Sequence, residues 1–100
     1  IDTYLISHPE STIMIKVSGD SMIEAGIHTG DIVIVDKGMN PKVDDIVVAE
    51  VDREFTLKYL KKDKRGHYLH AANPKYPDFY PREELKIFGV VTGVIRKYKK

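Results

Sequence analysis

Two short runs of β-branched residues constrain the fold of this chain more than any other feature. They occupy residues 32–35 and 46–49, and a turn-forming sequence precedes each of them. β-branched side chains favour extended strands, and a strand without a polar face is normally covered on both sides. The two runs therefore predict buried strands at the centre of a mainly β fold.

Alternating apolar residues predict further strands around this centre. The alternation extends over residues 13–17, 54–60 and 67–71, and residues 87–95 are apolar on both faces. We expect a polar connection at residues 61–66, with Gly66 in its turn. The result is a small rolled sheet or partial barrel of about six to seven strands.

The remaining segments predict turns and irregular structure. Residues 73–81 contain three prolines. Because proline has no N–H to donate to a strand ladder, we expect an irregular surface segment there. The possibilities for helix are limited to short turns around residues 2–7, 21–25 and 82–85.

Composition narrows the class of protein. The chain has 100 residues, no cysteine, and 16 basic against 15 acidic groups. This length predicts a single domain, residues 1–100. Without cysteine there are no disulfides, thiolate zinc sites or cysteine nucleophiles. A net charge of +1 argues against a dedicated polyanion binder. No apolar run approaches the ~18 residues of a membrane span, and no signal peptide is recognisable, so we expect a cytoplasmic protein without membrane association.

The charges are unevenly distributed along the chain. Residues 1–50 carry nine acidic and three basic groups, whereas residues 51–100 carry six acidic and thirteen basic groups. Such asymmetry can steer a partner or favour self-association between unlike faces. The alternative is a set of solvated strand edges and loops.

A serine in a tight turn is the first candidate for chemistry. Gly19 permits a sharp turn after the strand at residues 13–17, and Ser21 follows where a short helical turn begins. A hydroxyl there is exposed beside free backbone N–H groups, which can stabilise an oxyanion. The alternative is an ordinary turn in which Asp20 or Ser18 hydrogen-bonds its own backbone.

A serine nucleophile needs a base, and two residue types are available. The four histidines lie in positions that suggest surface or structural roles, and their spacing forms no zinc site: His8, His28, His67 and His70. Lys58 differs from the neighbouring lysines because it lies inside the strand at residues 54–60. Burial would lower its pKa and make it a base. The alternative is a side chain that extends to solvent.

Taken in order, these motifs resemble the LexA/UmuD family of self-cleaving serine peptidases (S24 type). The matching segments are Ser-Gly-Asp-Ser-Met at 18–22 and residues 30–36, 45–49, 55–60 and 88–91. The resemblance implies that Ser21 is the nucleophile and that Lys58, 37 positions later, is the base. It also makes the backbone N–H groups of Asp20 and Ser21 candidates for the oxyanion hole. It implies no cofactor and no metal.

Residues 4–9 resemble the UmuD branch of that family. This resemblance implies an accessory subunit of an error-prone translesion DNA polymerase in SOS mutagenesis. Its partners would be a second copy, the catalytic polymerase subunit and a RecA filament on single-stranded DNA, which stimulates cleavage of the protein's own N-terminal arm. We expect residues 88–95 to form the dimer interface, unless the sheet at residues 32–35 covers them.

Two other functions stay open. One is the C-terminal self-cleavage and dimerisation domain of a LexA- or phage-type repressor. The other is a catalytically idle β domain used only for assembly.

The chain departs from a complete family member upstream of Ser21. The family cuts at a small residue followed by glycine, well before the nucleophile, whereas here only 20 residues precede Ser21. The one Ala-Gly pair, at residues 25–26, lies too close to Ser21 to reach it. We therefore expect a processed or truncated form without the arm. Because no helix-turn-helix pattern is present, we expect no sequence-specific DNA binding by these residues.

Overall fold

The computed structural model describes residues 2–99, with side chains from residue 4 onward. Six strands account for most of its regular structure. The elements in chain order are α1 (Asp2–Leu5), a 3₁₀ turn (Pro9–Ser11), β1 (Thr12–Lys16), a second 3₁₀ turn (Ile23–Ala25), β2 (Ile32–Asp36), β3 (Ile46–Val51), β4 (Glu54–Asp63), β5 (Gly66–His70) and β6 (Lys86–Ile95).

All six strands belong to one antiparallel sheet in the order β1-β2-β6-β3-β4-β5. The last strand of the chain therefore lies at the centre, between β2 and β3. The mainly β prediction and its strand count are confirmed. None of the described helices is long and apolar enough to cross a bilayer.

The sheet has an apolar cluster on each face, as the β-branched runs predict. Val33 and Val35 of β2 lie in one cluster together with Met22 and Ile27. The second cluster is built from β3, β4, β5 and β6, with members Val47, Ala49, Leu60, Leu69 and Val90. Since Met22 and Ile27 come from the connection between β1 and β2, their burial draws that connection onto the sheet and places Ser21 beside it.

Two details of the sequence prediction are wrong. Strand β4 extends to Asp63, because its polar residues 61–63 pair with β5; the connection is therefore a tight turn, and Gly66 opens β5. Residues 82–85 form no helix. Leu85 and Ile87 both pack against the second cluster, and this spacing of two is that of an extended chain.

The other turns agree with the prediction in part. The structure has α1 within residues 2–7 and a 3₁₀ turn within residues 21–25, and residues 73–81 are irregular apart from one bridge between Leu69 and Phe79. The 3₁₀ turn at Pro9–Ser11 was not predicted. Its proline occupies the start of the turn, where the missing N–H costs nothing.

Candidate active site

The turn that carries Ser21 is closed at its base by backbone hydrogen bonds. The N–H of Val17 donates to the Asp31 carbonyl over 2.8 Å, and the N–H of Gly30 donates back to Val17 over 3.0 Å. Inside this closure, the Thr29 hydroxyl donates to the Gly19 carbonyl over 2.7 Å. Gly19 has a φ of 90°, which a residue with a side chain rarely adopts. The predicted sharp turn at Gly19 is therefore present and braced from the opposite side of the loop.

Met22, the residue after the nucleophile candidate, anchors the turn to the rest of the fold. Its side chain is 2% exposed, and its sulfur accepts a hydrogen bond from the Ala72 N–H at 3.3 Å. Two residues on, the Glu24 N–H donates to the Ala72 carbonyl over 2.8 Å. These contacts fix the chain directly after Ser21 to the segment that follows β5.

Ser21 and Lys58 meet at this point. Lys58 Nζ lies 3.1 Å from Ser21 Oγ and 2.6 Å from Thr56 Oγ1. Ser21 Oγ is also 3.4 Å from the Leu57 carbonyl oxygen, to which it donates. The two residues selected from the sequence are thus in direct contact, and the lysine side chain does not extend freely into solvent.

The surroundings of Lys58 favour its neutral form. Its side chain is half-buried, and burial lowers its pKa because the ammonium loses hydration. Within the described residues no carboxylate forms an ion pair with Lys58 to offset that loss. A neutral amine beside a hydroxyl is able to accept its proton.

The Ser21–Lys58 pair lies along a strand edge that β5 leaves uncovered, since β5 pairs with β4 only from Tyr59 to Asp63. A hollow of about 130 Å³ borders Ser21 between the end of β1 and residues 55–57, with Val48 and Ile27 in its lining. A second hollow, of about 300 Å³, borders Lys58. Each member of the pair therefore borders a hollow at the surface.

The other candidate side chains have partners away from Ser21. His8 Nδ1 is 2.7 Å from Asp36, and His70 Nδ1 is 2.6 Å from Asp78; among the described residues, no histidine hydrogen-bonds Ser21. The Asp20 carboxylate accepts a hydrogen bond from the Tyr76 hydroxyl at 2.6 Å, and among the described residues it accepts none from its own turn.

The oxyanion hole stays a prediction. In the part of the chain that the structure describes, the backbone N–H groups of Asp20 and Ser21 donate no hydrogen bond, as an unoccupied oxyanion hole requires.

Three residues at the site were missed by sequence reasoning. Thr56 had a signal, because it lies two positions before Lys58 and therefore on the same face of the strand. Asn73 and Tyr76 had none. They come from the proline-rich segment, and only the folded chain brings them to the turn.

The sequence matches the Peptidase S24-like family over residues 1–92. The chain belongs to this family. Its resemblance to the LexA/UmuD type is thereby confirmed at the level of the family.

Named relatives of this Peptidase S24-like chain are of two kinds. Protein SamA of Salmonella typhimurium LT2 is 48% identical over 97 residues, which cover 97% of this chain and 68% of SamA. Protein ImpA of Escherichia coli is 41% identical over 98 residues, covering 97% of this chain and 67% of ImpA. The LexA repressor of Verrucomicrobium spinosum is 46% identical over 84 residues, covering 84% of this chain and 41% of the repressor.

Proposed function

We propose that this protein is a self-cleaving serine peptidase in which Ser21 is the nucleophile and Lys58 is the general base. The observation that carries the proposal is the 3.1 Å contact between Lys58 Nζ and Ser21 Oγ, beside a half-buried amine that lacks a carboxylate partner within the described chain. Membership of a peptidase family supports the same chemistry.

The reaction follows from this geometry. Neutral Lys58 takes the hydroxyl proton as Ser21 Oγ attacks the carbonyl carbon of a peptide bond. The backbone N–H groups of Asp20 and Ser21 stabilise the resulting oxyanion. The Lys58 ammonium then returns the proton to the departing amine, which breaks the C–N bond and leaves an acyl group on Ser21. Attack by water on this ester releases the second product and restores the hydroxyl.

We infer that the substrate is the protein's own N-terminal arm and that the biological role is SOS mutagenesis. In this role the protein is a cytoplasmic accessory subunit of an error-prone translesion polymerase, and a RecA filament on single-stranded DNA stimulates cleavage. The support is similarity to SamA and ImpA over 97% of the chain. Co-purification with the catalytic polymerase subunit tests the role, and no binding at micromolar concentration would count against it.

The alternative is the C-terminal domain of a LexA- or phage-type repressor. The 46% identity to a LexA repressor favours it, although the match covers 41% of that protein. The sequence upstream of Ile1 separates the two roles. A short arm of tens of residues supports the polymerase subunit, whereas a helix-turn-helix supports the repressor.

We also propose that the protein forms a homodimer through the second half of β6, which contains Val94 and Ile95, and the residues beside it. Intramolecular cover accounts for the first half of β6, where Val90 is buried between β2 and β3. The second half is different, because Val94 is 40% exposed and Ile95 is 37% exposed. Val94→Asp should give a monomer in sedimentation equilibrium if this surface is the interface, and a dimer of unchanged affinity would reject it.

The cleavage test uses the full-length gene product with RecA, a nucleotide and single-stranded DNA. Ser21→Ala and Lys58→Ala should abolish cleavage without unfolding the protein. Ser7→Ala and Lys62→Ala are the matched controls, since both side chains are exposed and neither residue lines the hollows beside the pair. Parent cleavage should be faster at about pH 10 than at about pH 7, because alkali neutralises lysine. Cleavage that survives either alanine substitution at the pair would refute the assignment.

A further inference from the structure

The proline-rich segment after β5 lies against the turn that carries Ser21. The Asn73 side chain, in a residue only 6% exposed, donates from Nδ2 to the Asp20 carbonyl over 3.0 Å. Three residues on, the Tyr76 hydroxyl donates to the Asp20 carboxylate over 2.6 Å. Two side chains of one segment therefore hold both the backbone and the side chain of the residue next to the nucleophile.

Tyr76 also contacts the other half of the pair. Lys58 Nζ lies 5.7 Å from the centre of the Tyr76 ring. At that distance the ring occupies space that water would otherwise fill beside the amine. Tyr76 thus links Asp20 and Lys58, which come from opposite sides of the cleft.

The segment is held in place at several points, so Tyr76 is not a loose loop residue. Asn73 accepts hydrogen bonds from the N–H groups of Lys75 and Tyr76, each over 3.0 Å. Further along, Leu69 and Phe79 exchange two backbone hydrogen bonds of 2.9 Å. Three prolines restrict the backbone between and beyond these contacts.

We propose that Tyr76 is a positioning residue for the Ser21–Lys58 pair, a role that rests on the proposed function. Its hydroxyl holds the Asp20 carboxylate through a hydrogen bond, and its ring lies beside the lysine amine. With the hydroxyl removed, the carboxylate is free to turn toward the Lys58 ammonium. An ion pair there stabilises the charged lysine, which is the form that cannot act as a base.

Four ionisable groups lie around Lys58 or the hollow beside it. They are Asp20 from the turn, Tyr76 from the proline-rich segment, and Asp52 and Glu54, which share the second hollow with Lys58. The hydrogen bond to Asp20 raises the pKa of Tyr76. Burial lowers the pKa of Lys58 at the same time, so both shifts favour a protonated Tyr76 hydroxyl beside a neutral amine.

The test is the pH dependence of Ser21 labelling by a fluorophosphonate, in which the serine oxygen displaces fluoride from phosphorus. This probe requires neither the N-terminal arm nor RecA. Tyr76→Phe keeps the ring and removes the hydroxyl. Tyr80→Phe is a matched control, because the Tyr80 hydroxyl donates to Asp63 over the same 2.6 Å. In the described structure, neither Tyr80 nor Asp63 hydrogen-bonds Ser21 or Lys58.

Tyr76→Phe should move the midpoint of the labelling profile to higher pH and lower labelling at pH 7 roughly tenfold, since a neighbouring opposite charge shifts a pKa by about one unit or more. Tyr80→Phe should leave the profile unchanged. Adding Asp20→Asn to Tyr76→Phe should restore the parent midpoint, because the carboxylate is gone. The proposal is overturned if Tyr76→Phe behaves like Tyr80→Phe, or if Asp20→Asn fails to reverse its shift.

Direct titration of the Lys58 amine by NMR separates this proposal from the proposed function. If the parent protein is not labelled at Ser21 at any pH, the nucleophile assignment fails. The NMR titration of the parent, Tyr76→Phe and the double variant then still decides whether Tyr76 controls the charge of Lys58, and an unchanged titration in Tyr76→Phe rejects it.

Discussion

A methyl group added at Gly89 tests the central strand pairing on which the site depends. Gly89 lies in β6 opposite Val48 of β3. A Cβ at this position would lie 2.6 Å from Cγ1 of Val35 and 3.0 Å from the Asp36 carbonyl oxygen. Val35 is fully buried and β-branched, and the carbonyl belongs to the β2 backbone, so neither neighbour can move aside freely. Gly89→Ala should therefore force β2 and β6 apart.

Overpacking of this kind costs about 1–3 kcal/mol. With a urea m-value of about 2 kcal/mol/M for a domain of this size, the unfolding midpoint should fall by about 1 M. The measurement is urea denaturation followed by circular dichroism, with the parent and the variant at the same protein concentration.

Gly93→Ala provides the control on the same strand. A Cβ there would have Ile34 Cδ1 as its nearest neighbour, at an ordinary contact distance of 3.5 Å. Alanine also loses less backbone entropy on folding than glycine, by about 0.5–1 kcal/mol. Its midpoint should stay the same or rise slightly. If both variants lose the same stability, or if Gly89→Ala is as stable as the parent, Gly89 is not packed closely against Val35 and Asp36.

Three further predictions concern ionisable groups and their partners. Lys58→Met should raise the free energy of unfolding at neutral pH, because it removes a half-buried charge. This gain should shrink as the pH rises from the lowered pKa of Lys58 toward the ordinary lysine value of 10.5, because the parent protein becomes more stable over that range. A gain that does not change with pH would contradict this. His8→Gln should destabilise the protein at about pH 5.5 and much less at about pH 9, since the Asp36 carboxylate raises the pKa of His8 and the charged pair is lost as pH climbs through that value; equal losses at both pH values in thermal unfolding would refute the pairing. Thr56→Val should move the labelling profile of Ser21 to lower pH, because the Thr56 hydroxyl accepts from the Lys58 amine and so favours its charged form; a shift to higher pH would argue against that hydrogen bond.

The strands were predictable because their signal is local. Period-two alternation and β-branched runs identified β1, β2, β3 and β6 to within a few residues, since each strand must bury the same side chains wherever its neighbours lie. The end of β4 was not predictable in this way. Its residues 61–63 are polar, and they are extended because β5 pairs with them.

The residues of the candidate site were likewise predictable only in part. The motif order in the sequence selected Ser21 and Lys58 through resemblance to a family, and the peptidase assignment of the chain agrees with it. No local pattern pointed to Asn73 or Tyr76, because an irregular segment carries no periodicity that predicts where it packs.

The amino-acid sequence alone therefore determined which segments are strands and which two residues are the candidates for chemistry. The tertiary structure decided that β6 lies between β2 and β3, that Lys58 Nζ comes within 3.1 Å of Ser21 Oγ, and that Tyr76 lies against both Asp20 and Lys58. The physical reason is the distance along the chain between the residues that interact. Strand formation depends on neighbours two residues away, whereas these contacts join residues up to 63 positions apart, as in the pairing of Ile32 with Ile95, and exist only after the sheet has brought them together.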